Sequence, residues 1–68
     1  MIRIDKLRGL ITEKGYSQKD IAEALDMTPK TFYSKMRKRV FGSDDIEKMI
    51  DILNIEDPIS IFFAKKVS

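Results

Sequence analysis

The sequence predicts an all-α fold of five helices, forming a single domain over residues 1–68. Three observations lead there. Apolar residues recur at spacings of three and four in successive segments, which is the period of one helix face. Cap and stop residues separate those segments at short intervals. No stretch alternates apolar and polar residues as a half-buried strand would.

The first helix is expected from about Ile4 to Lys14, with Ile4, Leu7 and Ile11 on one face and Leu10 beside them. Gly15 follows, where a left-handed residue commonly ends a helix. Ser17 opens the second helix, and Asp20 three residues on makes a capping box with a shorter acid than usual. Ile21, Ala22 and Leu25 form its buried stripe, and the small Ala22 lets another helix come close. Asp26-Met27 breaks the pattern as a short turn. Thr28-Pro29 then starts the third helix: threonine caps, and proline at the first helical position loses no hydrogen bond.

Phe32 and Met36 are four apart and form a narrow apolar seam, read as core. Lys30, Thr31, Tyr33, Ser34 and Arg37 fall elsewhere, so most of this helix's surface is left free. Arg37 to Gly42 reads as a basic loop, with either Val40 or Phe41 turned back to the core. Ser43 is expected to cap the fourth helix, whose first turn holds Asp44, Asp45 and Glu47. Acids at that place offset the helix dipole, which is a better reading of them than a metal or acid–base site. Ile46, Met49, Ile50 and Leu53 match the apolar template, and Asn54 is a stop. Asp57-Pro58 repeats the cap-plus-proline signal and opens a short apolar helix through Ile59, Ile61, Phe62 and Phe63. Lys65 to Ser68 are expected to fray.

Composition narrows the function classes. The chain is 43% apolar and 35% charged, too apolar for disorder. A domain of this length buries only about 60% of its unfolded surface, so its core is small. With neither cysteine nor histidine, disulfides and zinc sites of the usual thiolate or imidazole kind are excluded. Stability is left to packing, capping and a partner subunit. No apolar run approaches the roughly 18–20 residues that span a bilayer, and Met1 to Asp5 lack a signal-peptide stretch. A cytoplasmic location is expected by exclusion. The same poverty of nucleophiles, together with the lack of a phosphate-cradling glycine loop, argues against an enzyme. No cofactor, metal or small-molecule ligand is expected.

Net charge is only +2, but it is unevenly spread. From Thr28 to Phe41 there are five cations (Lys30, Lys35, Arg37, Lys38 and Arg39) and no acid. From Gly42 to Ala64 there are six acids and one cation, Lys48. A basic stripe of this size suits a polyphosphate, whose condensed counterions are released on contact. Charge runs are more often plain solvated faces, so the stripe gains meaning only from its place on the third helix.

Two short helices joined by a tight turn, the second opening with Thr-Pro and carrying cations, describe a helix-turn-helix over about 17–38. The segment SQKDIAEALDMTPKTFYSKM, Ser17 to Met36, closely resembles the phage repressor/Cro (XRE-type) family. The resemblance extends over nearly the whole chain, and Asp57 to Phe63 looks like the ending of small Cro-like proteins of Gram-positive phages and prophages. It implies a lambda-repressor-like fold and a sequence-specific regulator that binds double-stranded operator DNA.

By position, the resemblance sets Gln18 against a backbone phosphate. Ile21, Ala22, Leu25, Met27 and Phe32 match the positions that lock the two helices. Thr28, Pro29, Lys30 and Ser34 match those facing base edges or flanking phosphates, and Arg37 and Lys38 lie in a loop that meets the backbone. Two residues depart from the pattern. Asp26 replaces the usual turn glycine, although aspartate tolerates a left-handed conformation better than most residues. Lys35 stands where an apolar core residue is common. A slight rotation of the helix, with Met36 in the core and Lys35 snorkelling, accounts for it.

The side-chain chemistry fits such a role. Lys30 can donate to guanine O6 and N7, while Thr28, Thr31 or Ser34 can bond phosphates or bases. Pro29 has no donor and can only pack, for example on a thymine methyl. Tyr33 and Arg37 reach the backbone, Arg37 alternatively a base. Gln18, Lys19, Arg37 and Lys38 would fix register through phosphates while carrying little sequence information. A regulator of this kind binds a palindromic operator as a homodimer, with Ile59, Phe62 and Phe63 as the candidate dimer contact. Adjacent helical residues point about 100° apart. Either one of Phe62 and Phe63 is core and the other a dimer contact, or both pack on different parts of one core. A different class of function is a protein-interaction module, such as an antirepressor, that keeps the fold. RNA is a weaker fit, because the third helix lacks an aromatic stacking platform for single strands.

Overall fold

The computed structural model describes residues 2–63. Five helices follow one another: α1 (Ile4–Glu13), α2 (Gln18–Ala24), α3 (Pro29–Lys38), α4 (Ser43–Leu53) and α5 (Pro58–Phe62). There is no strand among the described residues. The expected fraying of Lys65 to Ser68 lies outside them.

The helix starts follow the expected capping chemistry in three cases. Ser17 accepts from the Asp20 N–H at 3.1 Å while the Asp20 carboxylate accepts from the Ser17 N–H at 2.8 Å, completing the box. Thr28 Oγ1 accepts from the Thr31 N–H, and Asp57 accepts from the Ser60 N–H. The start of α4 differs from expectation by one residue. Gly42 is the N-cap, in extended conformation, and Ser43 is the first helical residue. The first turn is closed by the Ile46 N–H on the Gly42 carbonyl at 3.0 Å, and no side chain caps it.

Four helices end in the same way. Gly15, Asp26, Arg39 and Asn54 all take positive φ, at 85°, 60°, 58° and 49°. In each case the next N–H reaches back five residues: Tyr16 to Ile11, Met27 to Ala22, Val40 to Lys35 and Ile55 to Ile50. This is the Schellman motif, which satisfies carbonyls that the last turn would leave open. The motif turns the chain sharply within a few residues and so makes short connections possible. Only one of the four left-handed residues is a glycine.

The core gathers one face from each helix. Leu7 and Ile11 of α1, Ile21 and Ala22 of α2, Phe32 and Met36 of α3, and Met49 and Leu53 of α4 are all buried. Fully burying one large apolar side chain contributes roughly 1.5–3 kcal/mol, so this shared interior is the main driving force. The most extensive helix–helix contact is α2 with α3, and Ala22 is wholly buried there in sequence position to let the helices approach. Phe41, not Val40, turns inward, its ring centroid 5.6 Å from that of Phe32. Val40 is exposed.

Ile2, Ile55 and Ile61 are also buried. The segment before α1 is tied to α5 by the Arg3 N–H on the Ile61 carbonyl at 2.7 Å. Phe62 is a core residue, 3% exposed, which corrects its assignment to a dimer contact. Its neighbours Ile59 and Phe63, 68% and 57% exposed, stand one helical turn apart outside the core. No helix among the described residues is long and apolar enough to cross a membrane.

Candidate nucleic-acid interface

The exposed face of α3 follows from its sequence. Phe32 and Met36 anchor the helix, and the Thr28 cap and Pro29 fix where it begins. Every other residue is therefore set at a defined angle to that seam. Thr28 donates its hydroxyl to Thr31 Oγ1 at 2.9 Å while accepting from the Thr31 N–H. Thr28 is thus spent on the cap, whereas Thr31 stays exposed. Tyr33 is half-exposed and meets the Phe32 ring edge-on, with centroids 6.4 Å apart.

Two shallow grooves flank this face. One, of about 460 Å³, is lined by Lys30, Thr31, Ser34, Lys35 and Lys38 of α3 with Val40 and Gly42 of the following loop. The other, of about 520 Å³, is lined by Lys30, Tyr33, Ser34 and Arg37. Lys30 and Ser34 form the ridge between them. The structure thus brings together Lys30, Thr31, Tyr33, Ser34, Arg37 and Lys38, the last two from the final turn of α3 and not from the expected loop, which begins only after the Arg39 cap. Gln18, Lys19, Thr28 and Pro29 line neither groove. They stand at the starts of α2 and α3, where Lys19 and Thr28 are exposed and Gln18 and Pro29 are half-buried.

The electrostatics are one-sided. Lys30, Arg37, Lys38 and Arg39 have no carboxylate partner within 4 Å among the described residues, whereas Lys35 pairs with Asp45 at 3.0 Å. That pair gives Lys35 its partner: the ammonium meets a carboxylate in the first turn of α4. Beside Lys19, the Asp20 carboxyl is held below the ordinary range, first by the Ser17 backbone N–H and then by the Ser17 hydroxyl. Asp44, Asp45 and Glu47 do not converge as a metal site; no group of three potential ligands does so among the described residues.

Sequence reasoning missed the groove roles of Val40 and Gly42 and the partner of Lys35. Val40 and Gly42 were hidden because the loop could be read with either Val40 or Phe41 inward. The carboxylate of Asp45 was visible only as a dipole-compensating acid. A third groove, of about 410 Å³, lies between α4 and the end of α5 and is lined by Phe41, Ser43, Ile46, Glu47, Ile50 and Phe63. Its surface is mainly apolar and its one charged lining residue is an acid, Glu47, where the two beside α3 carry only cations.

Hydroxyls, lysines and an arginine projecting from one helix can hydrogen-bond and neutralise a phosphate backbone while reaching between its strands. No buried polar or charged side chain occurs among the described residues. Comparison with family models, curated proteins and solved structures gives no match to this chain.

Proposed function

We propose that this chain is a sequence-specific double-stranded DNA-binding regulator of the phage repressor/Cro type. In this reading α2 and α3 form a helix-turn-helix and α3 enters the major groove. The observation that carries it is the single exposed face of α3, where Lys30 and Ser34 form a ridge between basic grooves and no acid intrudes from the helix itself. Lys30, Ser34 and Thr31 read base edges. Gln18, Lys19, Tyr33, Arg37 and Lys38 hold the backbone, and Thr28 and Pro29 set the helix in register. The chain acts in the cytoplasm by covering a promoter, without catalysis, cofactor or small-molecule ligand. It works as a homodimer on DNA, with Ile59 and Phe63 as the exposed apolar contact.

The test is binding of purified protein to fragments flanking its own gene, titrated across salt beside random-sequence competitor. Preference for one site, with affinity falling steeply as salt rises, is the expected result. Absence of binding, or binding without preference, overturns it.

A second reading has its own support. The apolar groove between α4 and Phe63, with Ile59 exposed nearby in sequence, fits a protein partner, and an antirepressor retaining this fold would use it. Such a protein need not bind DNA, so the same titration separates the two.

A further inference from the structure

Lys35 lines the groove beside α3 together with Lys30 and Lys38, yet it alone of the cations there is already neutralised. Its Nζ donates to Asp45 Oδ2 at 3.0 Å. The carboxylate is the more sheltered partner, 16% exposed against 36% for the lysine side chain. Asp45 lies in the first turn of α4, close to Gly42, where an added Cβ would stand 3.8 Å from the same oxygen, an ordinary contact.

We propose that Asp45 sets the level of sequence-independent phosphate binding by holding Lys35 as an internal ion pair within the DNA-facing groove. The inference rests on the DNA-binding reading and names a control on that same surface. A phosphate approaching the groove must displace a tethered, half-sheltered carboxylate before it can use Lys35. Paired to Asp45, Lys35 brings no net positive charge to a phosphate, so few of the cations condensed on the DNA are released there. Weaker backbone affinity leaves base contacts a larger share of the total, and discrimination against the excess of non-specific sites depends on that share. Asp45 is therefore a positioning residue that tunes specificity without touching DNA.

The test uses the full chain, a random-sequence duplex and fluorescence anisotropy between 50 and 200 mM salt, about the range over which backbone contacts are resolved. The proteins are the wild type, Asp45→Asn, Lys35→Met and the double variant, each first shown to melt cooperatively. Wild type and the double variant should share one salt slope, because each is neutral at this pair. Asp45→Asn should be steeper by about 0.9, an additional loss of about 3.5-fold across that range. Lys35→Met, which leaves Asp45 unpaired, should be no steeper than wild type.

An unchanged slope in Asp45→Asn overturns the proposal. So does a steeper slope that persists in the double variant, since removal of a negative charge alone would then explain it. A slope flatter than wild type in the double variant also overturns it, because Lys35 would already meet phosphate. If Asp45→Asn does not fold, Asp45→Ser takes its place, with the same slopes expected and the same results overturning the proposal. Failure of wild type and Asp45→Asn alike to bind duplex refutes the DNA-binding reading itself.

Discussion

Replacing Arg39 by glycine should give a more stable fold than replacing it by alanine. Arg39 stands at φ 58° and ψ 40° and closes α3. Its N–H meets the Met36 carbonyl at 3.2 Å, and the Val40 N–H meets that of Lys35 at 3.1 Å. A residue with a β-carbon pays roughly 1–2 kcal/mol for this left-handed conformation. Glycine avoids that penalty but loses more backbone entropy on folding, roughly 0.5–1 kcal/mol. The balance favours glycine over alanine by about 0.5–1 kcal/mol. In a domain of this size each kcal/mol moves Tm by about 4–8 °C, so the glycine variant should melt about 2–8 °C higher.

The comparison is clean because Arg39 is exposed and unpaired among the described residues, and both variants remove the same cation. Circular dichroism melts, supported by urea titration, provide the measurement. Equal stability, or alanine above glycine, would refute the idea that the left-handed angle at this position carries a cost. The two variants should also bind duplex DNA alike, since they differ only in backbone freedom.

Phe32→Ala removes the ring that is fully buried against Phe41 and should destabilise by about 3–5 kcal/mol, near the whole stability of a core this small. A cooperative melt at an unchanged temperature would contradict the packing described. Lys30→Ala should weaken operator binding and relax base preference, while Lys38→Ala should weaken all sequences and flatten the salt slope by about one unit. Competition titrations with specific and random duplexes distinguish these patterns. The Asp5 carboxyl is lowered to about 2 from its ordinary 3.8, chiefly by the hydrogen bond from Arg3. Its folded-state value lies below its unfolded one, so its stabilisation is present above the ordinary value and is lost as pH falls through about 2. The Tm of wild type should therefore exceed that of Asp5→Asn at neutral pH, with the gap closing in acid.

Much of this fold was legible because local signals agreed with packing. Ser17, Thr28 and Asp57 cap as their positions predict, and Phe32 and Met36 are buried as their spacing requires. Gly42 displaced Ser43 as the cap of α4 because an extended glycine supplies the first carbonyl as well as a serine does. Long-range contacts were not legible. Nothing local marks Ile2 as core, since its burial depends on α5, far along the chain. Phe62 and Phe63 are equally apolar, and only tertiary packing decides which is enclosed. In the candidate interface, the face of α3 could be read from the angular position of Lys30, Tyr33, Ser34 and Arg37 around the buried seam. The engagement of Lys35 with Asp45 could not, because a salt bridge between helices depends on how the helices cross.

The Arg3–Ile61 hydrogen bond gives α5 a conditional existence. A helix of five residues is too short to persist alone, and isolated helices below about 12–15 residues are marginal in water. Its integrity is borrowed from the segment before α1 and from the burial of Ile61 and Phe62. The two extremities of the described chain therefore behave as one cooperative unit, opening and closing together although they are remote in sequence. Ile59 and Phe63 are displayed only while that unit is shut. Whatever loosens Ile2 and Arg3 also dismantles the exposed apolar surface of Ile59 and Phe63, so the shape of that surface becomes a readout of how the first described residues are seated.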